Sequence, residues 1–278
     1  MGSTTFRNGR LRLPAAALLV LALTLGACQT TKDEAGATAN GAGYEALMRM
    51  AANTRGQGDL QTAATLYRRA HAADGKRVEP LLALGEVLTD TGSAREALDA
   101  WRQALARDPA NAAALRGYGR SLIALDQPEE AARQFAAALA ADPKDRRALN
   151  GLGVAKDMTG DHHGAQELFR AALAQEPDDR TTLNNLGFSH ILAGDAAEAI
   201  RILEPLARSP LSTAVQRQNL ALAYGMAGRE QDAARIARLD LKEADVQANL
   251  AYYRQARGGT AAPGQPPATP ERTLRLRD

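Results

Sequence analysis

The chain has 278 residues, of which 45% are hydrophobic and 24% charged, an ordinary composition for a globular protein of one or two domains. Aromatic residues make up only 4%, which argues against a core of large rings and favours helices packed through small side chains. The formal net charge of +2 indicates no nucleic-acid partner, and a single cysteine excludes an intramolecular disulfide.

The N-terminus has the pattern of an export signal. Three arginines within residues 7–12 precede an apolar run from Leu13 to Leu25, and small residues stand directly before Cys28. The run has about 13 residues, fewer than the roughly 20 that a permanent membrane-spanning helix needs. The pattern therefore predicts a cleaved signal peptide over residues 1–27.

The segment Leu25-Gly26-Ala27-Cys28 resembles the lipobox of bacterial lipoproteins. That resemblance implies cleavage before Cys28 and lipidation of its thiol; the alternative is an ordinary signal peptide with a free cysteine nearby. Several acyl chains would hold the protein durably at a membrane. Because Gln29 stands where aspartate would mark retention at the inner membrane, the resemblance implies the periplasmic face of the outer membrane.

Cleavage before Cys28 would change the charge of the chain and leave a tether. Of the 34 basic side chains the signal carries three, so the mature chain would have 31 against 32 acidic ones. Residues 28–43 read as a flexible segment with a root-mean-square span of roughly 20 Å, long enough to lift a folded domain off the membrane.

An internal repeat follows. Six segments begin at a glycine or aspartate, and successive starts are 34 residues apart: GDLQTA (58–63), GSAREA (92–97), DQPEEA (126–131), GDHHGA (160–165), GDAAEA (194–199) and GREQDA (228–233). The same register carries small residues seven positions before the start and aromatic residues nine positions after it. These are Gly85, Gly119, Gly153 and Gly187, and Tyr67, Trp101, Phe135 and Phe169. A fixed period of this length is typical of helical repeat proteins.

The pattern resembles the tetratricopeptide repeat, a helix-turn-helix unit. The resemblance implies an all-α, right-handed superhelical solenoid of about six units over residues 44–257, with the last, fifth and first copies the least regular. Residues 242–257 read as a closing helix with Val246, Leu250 and Tyr253 on one face. Residues 258–278, rich in glycine and proline, read as a disordered tail.

Catalytic and metal-binding patterns are weak. His162 and His163 are adjacent and lack a partner at ligand spacing, so we expect a solvent-exposed turn there. Ser189 and His190 have no identifiable orienting acid. We therefore expect no enzyme activity, no metal and no cofactor; an enzyme would require a further domain.

A surface stripe is the remaining candidate site. Positions of each first helix that the core does not need would line the groove of a tetratricopeptide solenoid and bind a protein partner. Its predicted members are Arg116, Arg120, Ile123, Arg147, Asn150, Val154, Asp157, Thr181, Asn184, Phe188, Ile191, Val215, Gln218 and Leu222. The stripe is basic in its middle and apolar towards its C-terminal end, which suits a segment with apolar anchors and an acidic end. In the alternative, the last repeats and the closing helix cover Phe188, Ile191 and Leu222.

The whole layout resembles one family. A lipobox, a short tether, about six repeats, QNLALAYGMAGREQDAARIARLDL (218–241) and VQANLAYYRQAR (246–257) are similar to the tight-adherence protein D family, TadD. The resemblance implies a non-enzymatic pilotin or assembly factor of Flp-type pili that binds the secretin or another component of the Tad machine. A regulator of peptidoglycan enzymes and a factor for outer-membrane protein or type IV pilus biogenesis are the alternatives.

Overall fold

The computed structural model describes residues 43–259, and all regular structure in that range is helical. The predicted signal peptide, Cys28, all but the last residue of the tether, and the tail beyond residue 259 lie outside the described residues. The helices are α1 (43–56), α2 (Leu60–Ala73), α3 (Glu79–Asp90), α4 (Ala94–Arg107), α5 (Ala112–Ala124), α6 (Pro128–Ala141), α7 (Arg146–Met158), α8 (His162–Leu173), α9 (Arg180–Leu192), α10 (Ala196–Arg208), α11 (Ala214–Met226), α12 (Glu230–Ala237) and α13 (Glu243–Arg257).

The described residues divide into two compact units, with the boundary between Lys76 and Arg77. The described part of the first unit is the helical hairpin α1–α2, which buries Tyr44, Ala51 and Tyr67. Asp59 caps α2 by accepting a hydrogen bond from the backbone N–H of Thr62 at 3.0 Å. The hairpin therefore has the arrangement predicted for the first repeat.

In the second unit, the first helix of successive repeats begins after a capping residue. The first helices α5, α7, α9 and α11 begin after Asn111, Asp145, Asp179 and Thr213, which stand 34 residues apart. Each of these side chains accepts a hydrogen bond from a backbone N–H in the first turn of its helix. Such a cap contributes about 1 kcal/mol to stability. The 34-residue period of the sequence therefore places a capping residue before each of these helices.

The turns within the repeats share a left-handed backbone conformation. Gly92, Gly160, Gly194 and Gly228 all have φ between 75° and 87°. The same register position in the third repeat is Asp126, with φ 60°, the one non-glycine residue of positive φ in the described chain. Glycine adopts this conformation without steric cost, whereas a side chain makes it unfavourable.

The predicted close packing at glycine is confirmed. A Cβ at Gly85, Gly119, Gly153 or Gly187 would lie 2.5 to 2.8 Å from the side chain at the aromatic position of the same repeat. Trp101 and Phe135 are also covered by Gly117 and Gly151 from the next first helix, where a Cβ would overlap the rings. Each of these rings is therefore held between glycines of two neighbouring repeats.

The closing helix is confirmed as α13. Val246, Leu250 and Tyr253 are buried, and they share one apolar cluster with Leu220, Leu222 and Tyr224 of α11. Burial raises the pKa of the Tyr253 phenol above its usual range. Helix α11, the first helix of the sixth repeat, is therefore covered by α13. Within residues 43–259, no helix is both long and apolar enough to span a membrane.

Candidate partner-binding pocket

A pocket opens between successive first helices of the second unit, and we call it the arginine pocket. It encloses about 640 Å³, including its open mouth. Helices α3, α5 and α7 and the cap of α9 contribute most of its wall, and two rings from second helices complete it. The lining residues are Glu86, Trp101, Ala113, Arg116, Gly117, Arg120, Phe135, Arg146, Arg147, Asn150 and Asp179.

Two glycines account for the position of the pocket. Gly117 and Gly151 occupy the same register on α5 and α7, and they carry no side chain that could separate Trp101 and Phe135 from this face. In the next two repeats that register holds Asn185 and Asn219, both fully buried. The pocket therefore lies where glycine stands, and amide side chains occupy the equivalent positions further along the chain.

The lining carries an excess of positive charge, since four guanidinium groups face two carboxylates, Glu86 and Asp179. Two of the arginines also form ion pairs within the wall. Arg116 pairs with Asp145, the cap of α7, and Arg146 lies 3.0 Å from Glu176 and 3.3 Å from Asp179, the cap of α9. Each pair therefore joins a first helix to the cap of the next first helix.

Asn150 adds an oriented amide to this wall. Its Oδ1 accepts hydrogen bonds from Asn185 Nδ2 at 3.1 Å and from Thr182 Oγ1 at 3.3 Å, both on α9. With Oδ1 held by α9, the Nδ2 group is the remaining donor of a side chain that lines the pocket. The pairing recurs one repeat later, where Asn184 Oδ1 accepts from Asn219 Nδ2 at 3.0 Å.

Four residues of the predicted stripe therefore come together in one pocket: Arg116, Arg120, Arg147 and Asn150. Their role in binding a partner stays a prediction. The sequence reasoning missed Arg146, Glu86 and Asp179 and the two aromatic rings. The signal that could have found the rings is the glycine pair at residues 117 and 151, which departs from the residues in the same register of the later repeats.

The predicted exposed apolar end of the stripe is wrong. Val154, Phe188, Ile191 and Leu222 are each at most 4% exposed. Val154 packs in a cluster with Phe169 and Leu186, whereas the other three lie in the cluster that α13 completes. Asn184 is likewise buried against Asn219, and Asp157, Val215 and Gln218 are buried as well. For Phe188, Ile191 and Leu222, the alternative in which the last repeats and the closing helix cover them describes the structure.

A buried polar cluster lies at the C-terminal end of α7. The Asp157 carboxylate is 3% exposed; its Oδ1 lies 2.9 Å from His162 Nδ1 and accepts a hydrogen bond from Ser189 Oγ at 2.8 Å. Its Oδ2 is buried and has no hydrogen-bond partner. Burial raises the pKa of Asp157 to about 6, although both hydrogen bonds favour the charged form.

This cluster corrects one expectation about the histidines. His163 is exposed as predicted, but His162 is half-buried and contacts Asp157. Ser189 donates to Asp157 and not to His190, whose Nε2 lies 3.3 Å from an Arg170 nitrogen. Among residues 43–259, no three His, Cys, Asp or Glu side chains are grouped as metal ligands would be. The cluster therefore links α7, α8 and α9, which is a structural arrangement.

Comparison with known proteins agrees with this architecture. Residues 89–153 and 158–217 match the family model of the tetratricopeptide repeat. Among solved structures, PilW, described as a widely conserved type IV pilus biogenesis factor, has 22% identity and a TM-score of 0.64 over 78% of this chain and 98% of its own. No curated protein sequence matches the chain.

Two further structures have the same fold. A tetratricopeptide repeat protein from Parabacteroides merdae has 20% identity and a TM-score of 0.62 over 76% of this chain and 84% of its own. The protein pilF of Pseudomonas aeruginosa has 18% identity and a TM-score of 0.59 over 79% of this chain and 99% of its own. At these identities the likeness is one of fold.

The fold and the family match define the class: residues 89–153 and 158–217 carry tetratricopeptide repeats, and the helices of the second unit have the all-α fold of that repeat type. Proteins of this class bind protein partners through successive repeats. The finer resemblance to the TadD family stays a prediction.

Proposed function

We propose that this protein is a non-enzymatic, lipid-anchored scaffold that binds a component of the Tad pilus machine, the secretin first among the candidates. The observation that carries the proposal is the arginine pocket, which opens on the face formed by successive first helices and collects Arg116, Arg120, Arg147 and Asn150. Positively charged pockets in repeat solenoids are suited to segments of opposite charge.

Two further observations support a role in pilus assembly. The sequence from Gln218 to Arg257 resembles the TadD family, and the fold is shared with PilW, itself a pilus biogenesis factor. A type IV pilus machine is the second candidate, favoured by the likeness to PilW and to pilF. In either case we propose that lipidation at Cys28 places the protein on the periplasmic face of the outer membrane.

The proposed mechanism is tethering. A lipid at Cys28 and the predicted tether of residues 28–43 would confine the repeats near the membrane, where the partner assembles. Confinement raises the effective concentration of two weakly binding proteins without any new contact. No catalysis is needed for such a role.

The test is a crosslinking pull-down from membranes of cells that express the full chain. Arg120→Glu with Arg147→Glu changes the charge of the pocket; Arg95→Glu with Arg133→Glu makes the same charge change on the exposed side of α4 and α6 and is the matched control. We expect the pocket pair to lose the secretin and the control pair to retain it. Equal recovery of the secretin with both pairs, or recovery of no pilus component with the wild type, would overturn the proposal.

A further inference from the structure

We infer that two leucine-bearing loops of the second unit insert into the surface of a lipid bilayer and give the protein a membrane contact besides the predicted lipid. The loops are residues 209–213, between α10 and α11, and residues 238–242, between α12 and α13. We call them the leucine loops, after Leu211 and Leu239. The inference goes beyond the proposed function, since it involves neither the arginine pocket nor a pilus component, and it uses only the proposed placement at a membrane.

Exposed apolar side chains are concentrated on these loops. Among residues 43–259, three large hydrophobic side chains are exposed: Leu211 at 76%, Leu239 at 65% and Met50 at 55%. Single exposed apolar residues are common on soluble proteins, whereas a patch of them marks an interaction surface. Two of the three lie on the leucine loops.

One arginine joins the two leucine loops. Arg217 of α11 donates from Nη1 to Ser212 O at 2.9 Å and from Nε to Asp240 Oδ2 at 2.8 Å. Ser212 follows Leu211 in the chain and Asp240 follows Leu239, so a single guanidinium group bonds to the residues next to both leucines. The two leucines therefore belong to one patch.

Leucine is a departure from the repeat at this edge of the second unit. Leu211 stands two residues before the helix cap Thr213, where three earlier repeats have Pro109, Pro143 and Pro177. The loops that hold these prolines carry carboxylates and no leucine, and they are residues 108–111, 142–145 and 174–179. An anionic lipid surface repels a carboxylate, whereas a leucine side chain gains free energy by entering the bilayer. Of these loops, the ones that suit a bilayer are therefore the leucine loops.

Hydrogen bonds within the protein favour lipid over a protein partner. The Leu211 N–H donates to Ser209 Oγ at 3.2 Å, and its carbonyl accepts from Arg180 at 3.4 Å. The Leu239 N–H donates to Ile236 O at 3.1 Å. A main-chain group without a bond is costly in a bilayer, whereas a protein partner uses such groups for directional bonds across the interface. The leucines therefore offer apolar area, which a lipid surface needs.

Exposed cations lie beside the leucines. Arg238 and Lys242 are exposed on the second leucine loop, and its one carboxylate, Asp240, is paired with Arg217. Arg238 is also paired with Glu243, so the positive charge of the loop is small. Long basic side chains place their charge among lipid headgroups while neighbouring leucines enter the apolar boundary. This chemistry suits a bilayer that contains some anionic phosphatidylglycerol.

The test uses the full chain, extracted from membranes in mild detergent and reconstituted into vesicles of phosphatidylethanolamine and phosphatidylglycerol. Leu211→Cys and Leu239→Cys are labelled with the dye NBD, whose fluorescence iodide quenches from water. Ala110→Cys, at an exposed position of an earlier loop, is the matched control, and labelling of the wild type measures the background from Cys28. We expect the vesicles to weaken quenching about threefold or more at positions 211 and 239 relative to 110, because apolar faces of peripheral proteins enter the interface by roughly 5–10 Å.

A second substitution tests whether the two leucines act together. With the probe at position 239, Leu211→Gln should restore most of the quenching, since burial of one leucine side chain shifts an equilibrium by about tenfold or more. Met50→Gln removes the exposed hydrophobic side chain that lies outside the patch, and it should leave the protection unchanged. The circular dichroism spectrum and urea midpoint of each variant establish that it is folded.

Equal quenching at positions 110, 211 and 239 on floating vesicles would overturn the inference and leave the proposed anchor intact. Equal effects of Leu211→Gln and Met50→Gln would overturn it as well. Protection that falls as the ratio of protein to lipid is lowered would assign the patch to a second copy of the chain instead. Loss of both flotation and protection would overturn the anchor and the inference together. The vesicles hold no pilus component, so the pull-down tests the proposed partner separately.

Discussion

Replacement of Asp157 by asparagine should remove a pH-dependent cost to stability. The carboxylate is 3% exposed and its Oδ2 has no hydrogen-bond partner, so burial raises its pKa from 3.8 to about 6. A group whose pKa is higher in the folded state adds stability below its unfolded pKa, and that stability is lost as the pH rises through the folded pKa. At neutral pH the charged carboxylate therefore lowers the free energy of unfolding.

The magnitude follows from the shift. A difference of about two pKa units corresponds to about 3 kcal/mol at neutral pH, of which about 2 kcal/mol develops between about pH 4.5 and about pH 7.5. The groups that face Asp157 are His162 from α8, Ser189 from α9 and Asp161 from the turn between α7 and α8. The introduced asparagine would be neutral at every pH and nearly isosteric, so the difference in unfolding free energy between variant and wild type should move in favour of the variant as the pH rises.

The assay is urea denaturation of both proteins at a series of pH values, followed by circular dichroism. Taking the difference at each pH cancels the titration of groups that behave alike in the two proteins. Asp161→Asn is the control, because Lys156 lowers the pKa of the exposed Asp161 carboxyl and the sign of its pH dependence is opposite. A difference between Asp157→Asn and wild type that does not change with pH would refute the reasoning.

Three other changes test the fold and the anchor. Asp126→Gly should raise the free energy of unfolding by about 1 kcal/mol, measured by urea denaturation, because glycine adopts the positive φ of 60° without steric cost; a loss of stability would show that the aspartate side chain is needed there. Gly119→Ala should cost about 1 to 3 kcal/mol in the same assay, since its Cβ would lie 2.8 Å from Phe135, whereas Gly56→Ala, with open space around it, should cost none. Cys28→Ala should move the protein from the membrane to the soluble fraction, seen by immunoblot, with an unchanged circular dichroism spectrum; continued membrane attachment would contradict lipid anchoring at this residue.

The repeat was predictable because its signals are local. A capping side chain, a glycine turn and an aromatic residue recur every 34 residues, and each acts within its own helix pair. The close approach at Gly85 and Gly119 followed from the same register. Hence the helices and the closing helix α13 were found from the sequence.

Burial of the stripe was not predictable from register. Arg120, Val154, Phe188 and Leu222 occupy one position of successive first helices, and only Arg120 keeps appreciable exposure. The exposure of the others depends on what packs over them. For Phe188 and Leu222 that is a cluster completed by α13, which lies outside the repeat pattern. A periodic pattern identifies equivalent positions, whereas burial depends on non-equivalent neighbours.

The arginine pocket itself arises from a departure from the repeat, and this gives a last test. Gly151 packs against Phe135, which contributes to the pocket wall, whereas the next repeat has the fully buried Asn185 in the same register. A Cβ at Gly151 would overlap the Phe135 ring, so Gly151→Asn should displace this ring, change the pocket wall and lower the free energy of unfolding by about 1 to 3 kcal/mol. We expect the variant to recover less of the secretin than the wild type in the membrane pull-down while it keeps a cooperative urea transition. Wild-type recovery of the secretin by a folded Gly151→Asn protein would mean that the partner binds elsewhere on the repeats.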